Sequence, residues 1–326
     1  MTRRRPAMLL LAAILAGCST TAVPTATTAP SPGASSAASP PLTAIRTPRP
    51  SPSLPPGVAQ AIDFEEDVWG VAAAGDTVWV EGFFQLYQLD GATGERLRVI
   101  DGWLPRVSGG SLWHVRGEDE LVQADAGDGE EQRSWTLPAG LLGTTVDDGL
   151  VWASAEGSGK LTGYDLAKDR VRHDVPLPPG EVKWIEAWRG LIWVVIDGAG
   201  GHVVRVDPDT GDIVDDLAAG SRPHSVVTAF GSLWITDHGA ANVLRFAPDG
   251  TLQATIPGPG VNVGIAATDD AVWAAGPDGL YRIDPGTQGA TREVELGSGD
   301  WYGLAEASGS LWLTTAQGGK ALQIPL

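Results

Sequence analysis

One short phrase returns along the chain at a near-constant interval and constrains the fold more than any other feature. An aliphatic residue, a tryptophan and then a β-prone or small residue follow a turn, as in Thr77-Val78-Trp79-Val80, Ser111-Leu112-Trp113 and Leu150-Val151-Trp152. The phrase continues in Leu191-Ile192-Trp193-Val194, Ser232-Leu233-Trp234-Ile235, Ala271-Val272-Trp273 and Ser310-Leu311-Trp312-Leu313. Successive tryptophans of these seven copies stand 34, 39, 41, 41, 39 and 39 residues apart. A fixed period of this length means that one supersecondary unit is repeated and stacked, because no single unit of that size buries its own apolar face.

A second phrase follows each of five anchors: Leu86-Tyr87-Gln88-Leu89-Asp90, Leu121-Val122-Gln123-Ala124-Asp125, Leu161-Thr162-Gly163-Tyr164-Asp165, Val203-Val204-Arg205-Val206-Asp207 and Leu280-Tyr281-Arg282-Ile283-Asp284. It runs into turn residues such as Pro208-Asp209-Thr210-Gly211, after which an alternating stretch such as Ala290 to Leu296 begins. Period-2 alternation between Gly, Asp and Pro turns reads as short strands joined by hairpins, four to a unit. Four strands in about 39 residues, repeated in series, predict an all-β, seven-bladed β-propeller over 58–326 rather than an open β-solenoid. The ends of the repeat region favour the ring: the last unit stops at Leu326 without an outer strand, and Val58 to Phe64 is a strand to spare before the first unit. That strand is expected to pair into the last blade. The anchor tryptophans are expected to pack between blades, and the Asp of the second phrase to form turns.

These phrases resemble the seven-bladed propellers of the YVTN, NHL and streptogramin-lyase-like (virginiamycin B lyase-like) group. Phe230-Gly231-Ser232-Leu233-Trp234-Ile235-Thr236 and Arg205-Val206-Asp207-Pro208-Asp209-Thr210-Gly211 carry the likeness best. The resemblance implies the fold and leaves function open, since one such architecture hosts binders, scaffolds and enzymes.

Ahead of the repeats, Arg3-Arg4-Arg5 precede an apolar run from Ala7 to Ala16, the layout of a secretory signal over residues 1–17. Leu15-Ala16-Gly17-Cys18 resembles the bacterial lipobox, and the resemblance implies that Cys18 is lipidated and becomes the mature N-terminus. An ordinary signal peptide with an incidental cysteine is the other reading. Residues 18–57 form a Ser/Thr/Ala/Pro-rich tether, too poor in apolar surface to offset ordering entropy. As a coil it reaches roughly 35 Å. The expected location is therefore the outer face of the bacterial cell membrane, or an outer membrane, with the propeller held by a lipid anchor alone.

Charge narrows the partners. Lys and Arg number 22 against 40 Asp and Glu, a net charge of −18. All the acids lie after residue 57 and five of the basic residues before it, so the repeat region carries 17 − 40 = −23. Such a surface excludes nucleic acid, which needs a basic face, and disfavours charge-driven lipid binding. A single cysteine excludes disulfides and multi-cysteine metal sites.

In a ring of this kind the loops leading into the inner strands and those leaving the Trp strands share one face. The lead-in positions, 9 to 11 residues before the anchors, hold Trp69, Trp103, Trp184, His224 and Trp301, with Tyr302 adjacent; Leu142 and Val263 stand there in the other blades. Trp69, Trp103, Trp184, His224, Trp301 and Tyr302 are thus the candidate ligand-binding residues, either as a recognition surface or as channel filling. Acids beside them (Asp67, Asp101, Glu181, Asp300) suggest a polar or cationic ligand, a small molecule or an envelope protein. The enzymatic alternative uses His224, Asp237 and His238 from one blade for acid/base chemistry, with Mg²⁺ only under that reading. Pro223-His224 is similar to a turn of streptogramin lyases, which would imply metal-assisted opening of a cyclic depsipeptide, but Val263 and the bare Gly276-Pro277-Asp278-Gly279 loop depart from that pattern. No Gly-rich phosphate loop, Gly-x-Ser-x-Gly elbow or His-Glu-x-x-His is present. The paired acids Asp147-Asp148 and Asp269-Asp270 read as solvated turns.

Overall fold

A computed structural model describes residues 54–326 other than 138–140, 142, 148, 156, 259–263 and 298. The signal segment, Cys18, the tether up to residue 53, and Leu142, Asp148, Glu156 and Val263 lie outside the described residues.

Each predicted unit is a four-stranded antiparallel sheet, and there are seven. Blade 1 comprises Val71–Ala74, Thr77–Glu81, Gln85–Asp90 and Arg96–Asp101. The inner strands of blades 2 to 7 are Trp103–Ser108, Gly143–Asp147, Glu181–Trp188, Pro223–Ala229, Ile265–Ala267 and Trp301–Ala307. Each inner strand packs on those of the neighbouring blades, and blade 7 returns to blade 1. Gln60–Asp63 pairs antiparallel with the last strand, Lys320–Pro325, so blade 7 is completed from the other end of the repeat region. Gln60 supports this seam by donating from Nε2 to Gln323 Oε1 at 2.6 Å and to the Thr93 carbonyl of blade 1 at 2.8 Å. The closed ring leaves no long inner edge to template aggregation.

The anchors fill the walls between blades. Trp79, Trp152, Trp193, Trp234 and Trp312 are fully buried, and Trp113 and Trp273 nearly so. Their indoles also tie blades together. Trp79 Nε1 donates to the Ala126 carbonyl of blade 2 at 2.8 Å, and Trp312 Nε1 to the Gly91 carbonyl of blade 1 at 3.3 Å. Gly129, at φ +73° in the turn beneath Trp79, leaves no room for a side chain, since a Cβ there would stand 2.5 Å from the indole. The phrase-ending aspartates behave as turn formers: Asp90, Asp125, Asp165, Asp207 and Asp284 each accept backbone N–H groups two and three residues on.

Candidate ligand-binding site at the channel mouth

Four of the inner strands carry a register shift at their lead-in end: between Trp103 and Arg106, Val182 and Trp184, Pro223 and Val226, and Trp301 and Leu304. A bulge adds residues on one strand and re-aims side chains, and here it does so at the channel mouth. Blades 5 and 7 share one version of it. Ser225 N–H donates to Thr236 Oγ1 at 3.1 Å and Gly303 N–H to Thr314 Oγ1 at 2.9 Å, each threonine lying two residues past its anchor. His224 and Tyr302 are the residues thrown inward, and their rings meet edge to face at 5.8 Å.

Together with Trp184 they line a cavity of about 220 Å³, whose wall also includes Glu81, Arg106, Lys183 and Gly264. A second cavity of about 380 Å³ continues down the channel. Arg106 and Trp184 border both. The guanidinium lies 3.3 Å from the centroid of the Trp184 ring, a stacked cation–π contact. The edge of the indole is engaged too, because Trp184 Nε1 donates to Glu186 Oε2 at 3.2 Å.

Three of the six expected ligand-binding residues thus converge on the mouth, and three do not. Trp301 is 8% exposed and packs in the wall with Trp273 and Leu304, because the bulge gives the inward position to Tyr302. Trp69 and Trp103 flank a separate aromatic ridge. Its ring centroids run from Trp69 to Phe83 (6.4 Å), Phe84 (4.7 Å) and Trp103 (6.3 Å). Trp103 Nε1 is spent on the Gly117 carbonyl at 2.9 Å. Phe84 sits at φ +62° in the hairpin that displays the ridge, a conformation unfavourable for a bulky residue.

Of the three catalytic candidates, only His224 lines the mouth cavity. Asp237 is 1% exposed, and its carboxylate accepts Ser221 N–H (3.1 Å), Ser221 Oγ–H (3.1 Å), Arg222 N–H (2.8 Å) and Gly239 N–H (3.2 Å). It therefore holds its own loop in shape. His224 is held neutral: burial, then the positive neighbours Lys183, His238 and Arg222, push its imidazolium down to about 3. His238 is half-buried, and its backbone N–H donates to the Arg222 carbonyl at 3.1 Å. Among the described residues, no three His, Cys, Asp or Glu side chains gather as a metal-binding group. Past the Trp anchors of blades 2 and 4, Arg116 is paired with Glu120 and Glu131, and His202 with Asp216. The paired acid Asp270 is bound by Arg282 at 2.8 Å.

Sequence reasoning passed over Arg106, Glu81 and Glu186. Burial raises the carboxyl of Glu81, against hydrogen bonds from the Leu104 and Gly70 backbone and the pull of Arg106. Burial likewise raises Glu186 and lowers Arg106 to about 10. Tyr302, 38% exposed to the mouth, is enclosed enough that its phenol is also raised, chiefly by burial. A signal for two of them was available. The residue paired with each anchor Trp on the inner strand, seven positions earlier, is Ala72, Arg106, Thr145, Glu186, Val227, Ala266 or Ala305. In that ring of small or apolar residues only blades 2 and 4 place a charge.

No family model matches the chain, and no curated protein matches it. Solved structures do. A virginiamycin B lyase from Staphylococcus aureus superposes with a TM-score of 0.67 at 15% identity, covering 82% of this chain and 98% of its own. A streptogramin B lyase gives 0.68 at 15% identity over 81% and 96%. The β-propeller domain of Cps50 (Swd1) from Myceliophteria thermophila gives 0.68 at 14% identity over 82% and 100%. What this chain shares with them is the fold. The seven-bladed, lyase-like propeller expected from the Trp phrases is therefore present, and its neighbours include both lyases and a non-lyase propeller.

Proposed function

We propose that the protein is a binding propeller, tethered to the outer face of the bacterial envelope through lipidated Cys18, that takes a ligand in the mouth cavity. One observation carries this reading: bulges in separate blades turn Trp184, His224 and Tyr302 toward one cavity of about 220 Å³, where aromatic faces and a charged cluster meet. A strand that only sealed the channel has no need of such bulges. The partner is a small molecule or an exposed segment of an envelope protein. The net charge of −23 on the repeat region weighs against nucleic acid, and the lipid supplies the membrane contact. A thermal-shift screen of small molecules tests the site. Ligands that raise the melting temperature of the wild type by mass action should lose that effect in the Trp184→Ala/Tyr302→Ala double variant, which should remain folded. Hits that stabilise both proteins equally would place binding elsewhere. Labelling cells with a lipid precursor tests the anchor: label should disappear in Cys18→Ala with release of the protein, and an unlabelled wild type would end that part.

A metal-assisted lyase or hydrolase is the second reading, supported by the likeness in fold to streptogramin lyases and by a neutral His224 facing the cavity. Turnover that is lost in His224→Ala and on chelation would favour it over binding alone.

A further inference from the structure

The charges of the mouth are unevenly satisfied. Lys183 and Glu181 cancel as an ion pair at 2.7 Å. Arg106 is different. It is held on the Trp184 ring and attracted by Glu81 and Glu186, yet among the described residues its guanidinium makes no hydrogen bond and no ion pair. Five N–H donors therefore face a solvent-reached cavity with no protein acceptor, free to take the oxygens of a ligand. Glu81, which lines the same cavity, accepts Leu104 N–H at 2.9 Å and the Gly70 backbone, and Glu186, on the deeper cavity that Arg106 also borders, accepts the Trp184 indole. Each carboxylate oxygen has a second lone pair, so both keep acceptor capacity.

The cluster has one cation and two anions when ionised, 1 − 2 = −1. A simple anion would satisfy Arg106 and deepen the negative charge. A simple cation would satisfy the carboxylates and leave Arg106 orphaned beside a second positive group. A zwitterion meets both needs without changing the net charge.

We infer that the mouth cavity binds a small zwitterion, an α-amino acid, whose carboxylate takes the Arg106 fork while its ammonium meets Glu81 and its side chain lies against His224 and Tyr302. A guanidinium is the donor best shaped for a two-oxygen carboxylate contact. His224 and Tyr302, edge to face at 5.8 Å, form the uncharged wall on which a side chain rests. The raised carboxyl of Glu81 fits the same picture, since an arriving ammonium is a cation that lets it ionise. The inference rests on the mouth being the binding site.

Three probes with one ring separate the possibilities: L-phenylalanine, phenylacetate and phenethylamine. Calorimetry gives affinity, and the indole N–H signal of Trp184, assigned by its loss in Trp184→Phe, reports where the probe sits. L-Phenylalanine should bind at least about tenfold tighter than either singly charged probe and move that signal. Arg106→Gln should cost at least about tenfold in affinity. Glu81→Gln, which keeps an oxygen for Leu104 N–H, should cost several-fold and covers the case in which Arg106→Gln fails to fold. Equal affinity for phenylacetate or phenethylamine with the Trp184 signal moving would overturn the zwitterion while keeping the mouth as a site. No binding of L-phenylalanine, or binding that leaves Trp184 unmoved, overturns the zwitterion outright; if library ligands also leave Trp184 unmoved, the mouth reading falls with it.

Discussion

Of the three tryptophans of blade 4, two stand nine residues apart, Trp184 and Trp193, and each has an arginine from another strand stacked on it. The two stacks differ in what the arginine does with its nitrogens. Arg205, 5.0 Å from the Trp193 ring, donates to the Pro248 carbonyl at 2.7 Å and the Asp249 carbonyl at 2.8 Å, both in the next blade, and is ion-paired with Asp215. Arg245 on Trp234 repeats the device, reaching the Pro285 carbonyl of blade 6 at 2.7 Å. Arg106 on Trp184 has no such acceptors. A Trp–Arg stack is thus a blade-joining element where the following turn supplies oxygens, and a candidate recognition element where nothing does. The repeat builds the wall, and departures from it build the mouth.

The largest expected effect separates the two tryptophans. Trp193→Ala removes a fully buried indole from the wall and should cost about 3–5 kcal/mol in denaturant unfolding, if the domain folds at all. Trp184→Ala, in a solvent-reached cavity, should cost well under half of that. Equal losses would erase the distinction between wall and mouth.

The comparison also explains what could be read in advance. The seven anchors sit in the walls and the strand count and ring closure follow, because Trp burial repeats at one period and strand alternation has a period of two. The mouth obeys neither period. Trp301 and Tyr302 are adjacent in the chain, and only a bulge decides which faces the channel. Aligning blades at the lead-in positions collected the aromatics there but was blind to Arg106 and Glu186. These occupy equivalent positions seven before the anchor, where Arg106 meets Trp184 only across blades and Glu186 follows it on the same strand. Glu81 had no such signal, since its role depends on the approach of Leu104 from the neighbouring blade.

Next in size is a pH effect that contrasts two buried imidazoles. His114, immediately after the blade 2 anchor, is 3% exposed, and burial, then Arg116, lowers it to about 4. An unfolded histidine titrates near 6.5, so between those values the unfolded chain binds the extra proton and stability falls as pH falls. The full loss on passing from pH 7 to below 4 is about 3 kcal/mol for this residue. His114→Gln should flatten the stability curve over that interval. A ligand in the mouth should shift the contribution of His224, lowered to about 3, and leave that of His114 unchanged. An unaltered slope in His114→Gln would mean that other groups carry the acid sensitivity.

The smallest expected effect tests the bulges themselves. Thr314 accepts from Gly303 N–H at 2.9 Å and donates to the Trp69 carbonyl of blade 1, so its hydroxyl fills the gap that the bulge opens and ties blade 7 to blade 1. Thr236 fills the matching gap in blade 5. Thr314→Val keeps the shape and removes the hydroxyl, leaving a backbone donor without its partner, for a cost of roughly 1–2 kcal/mol. The consequence for the mouth should be more specific than that loss. Once Gly303 N–H seeks another acceptor, Tyr302 no longer holds its edge-to-face contact with His224. The aromatic ring signals of Tyr302 should then shift while those of Trp193 stay in place. If Thr314→Val leaves Tyr302 where it was, the bulge is held by the packing of Trp301 in the wall, and the mouth is set by the same buried tryptophans that set the blades.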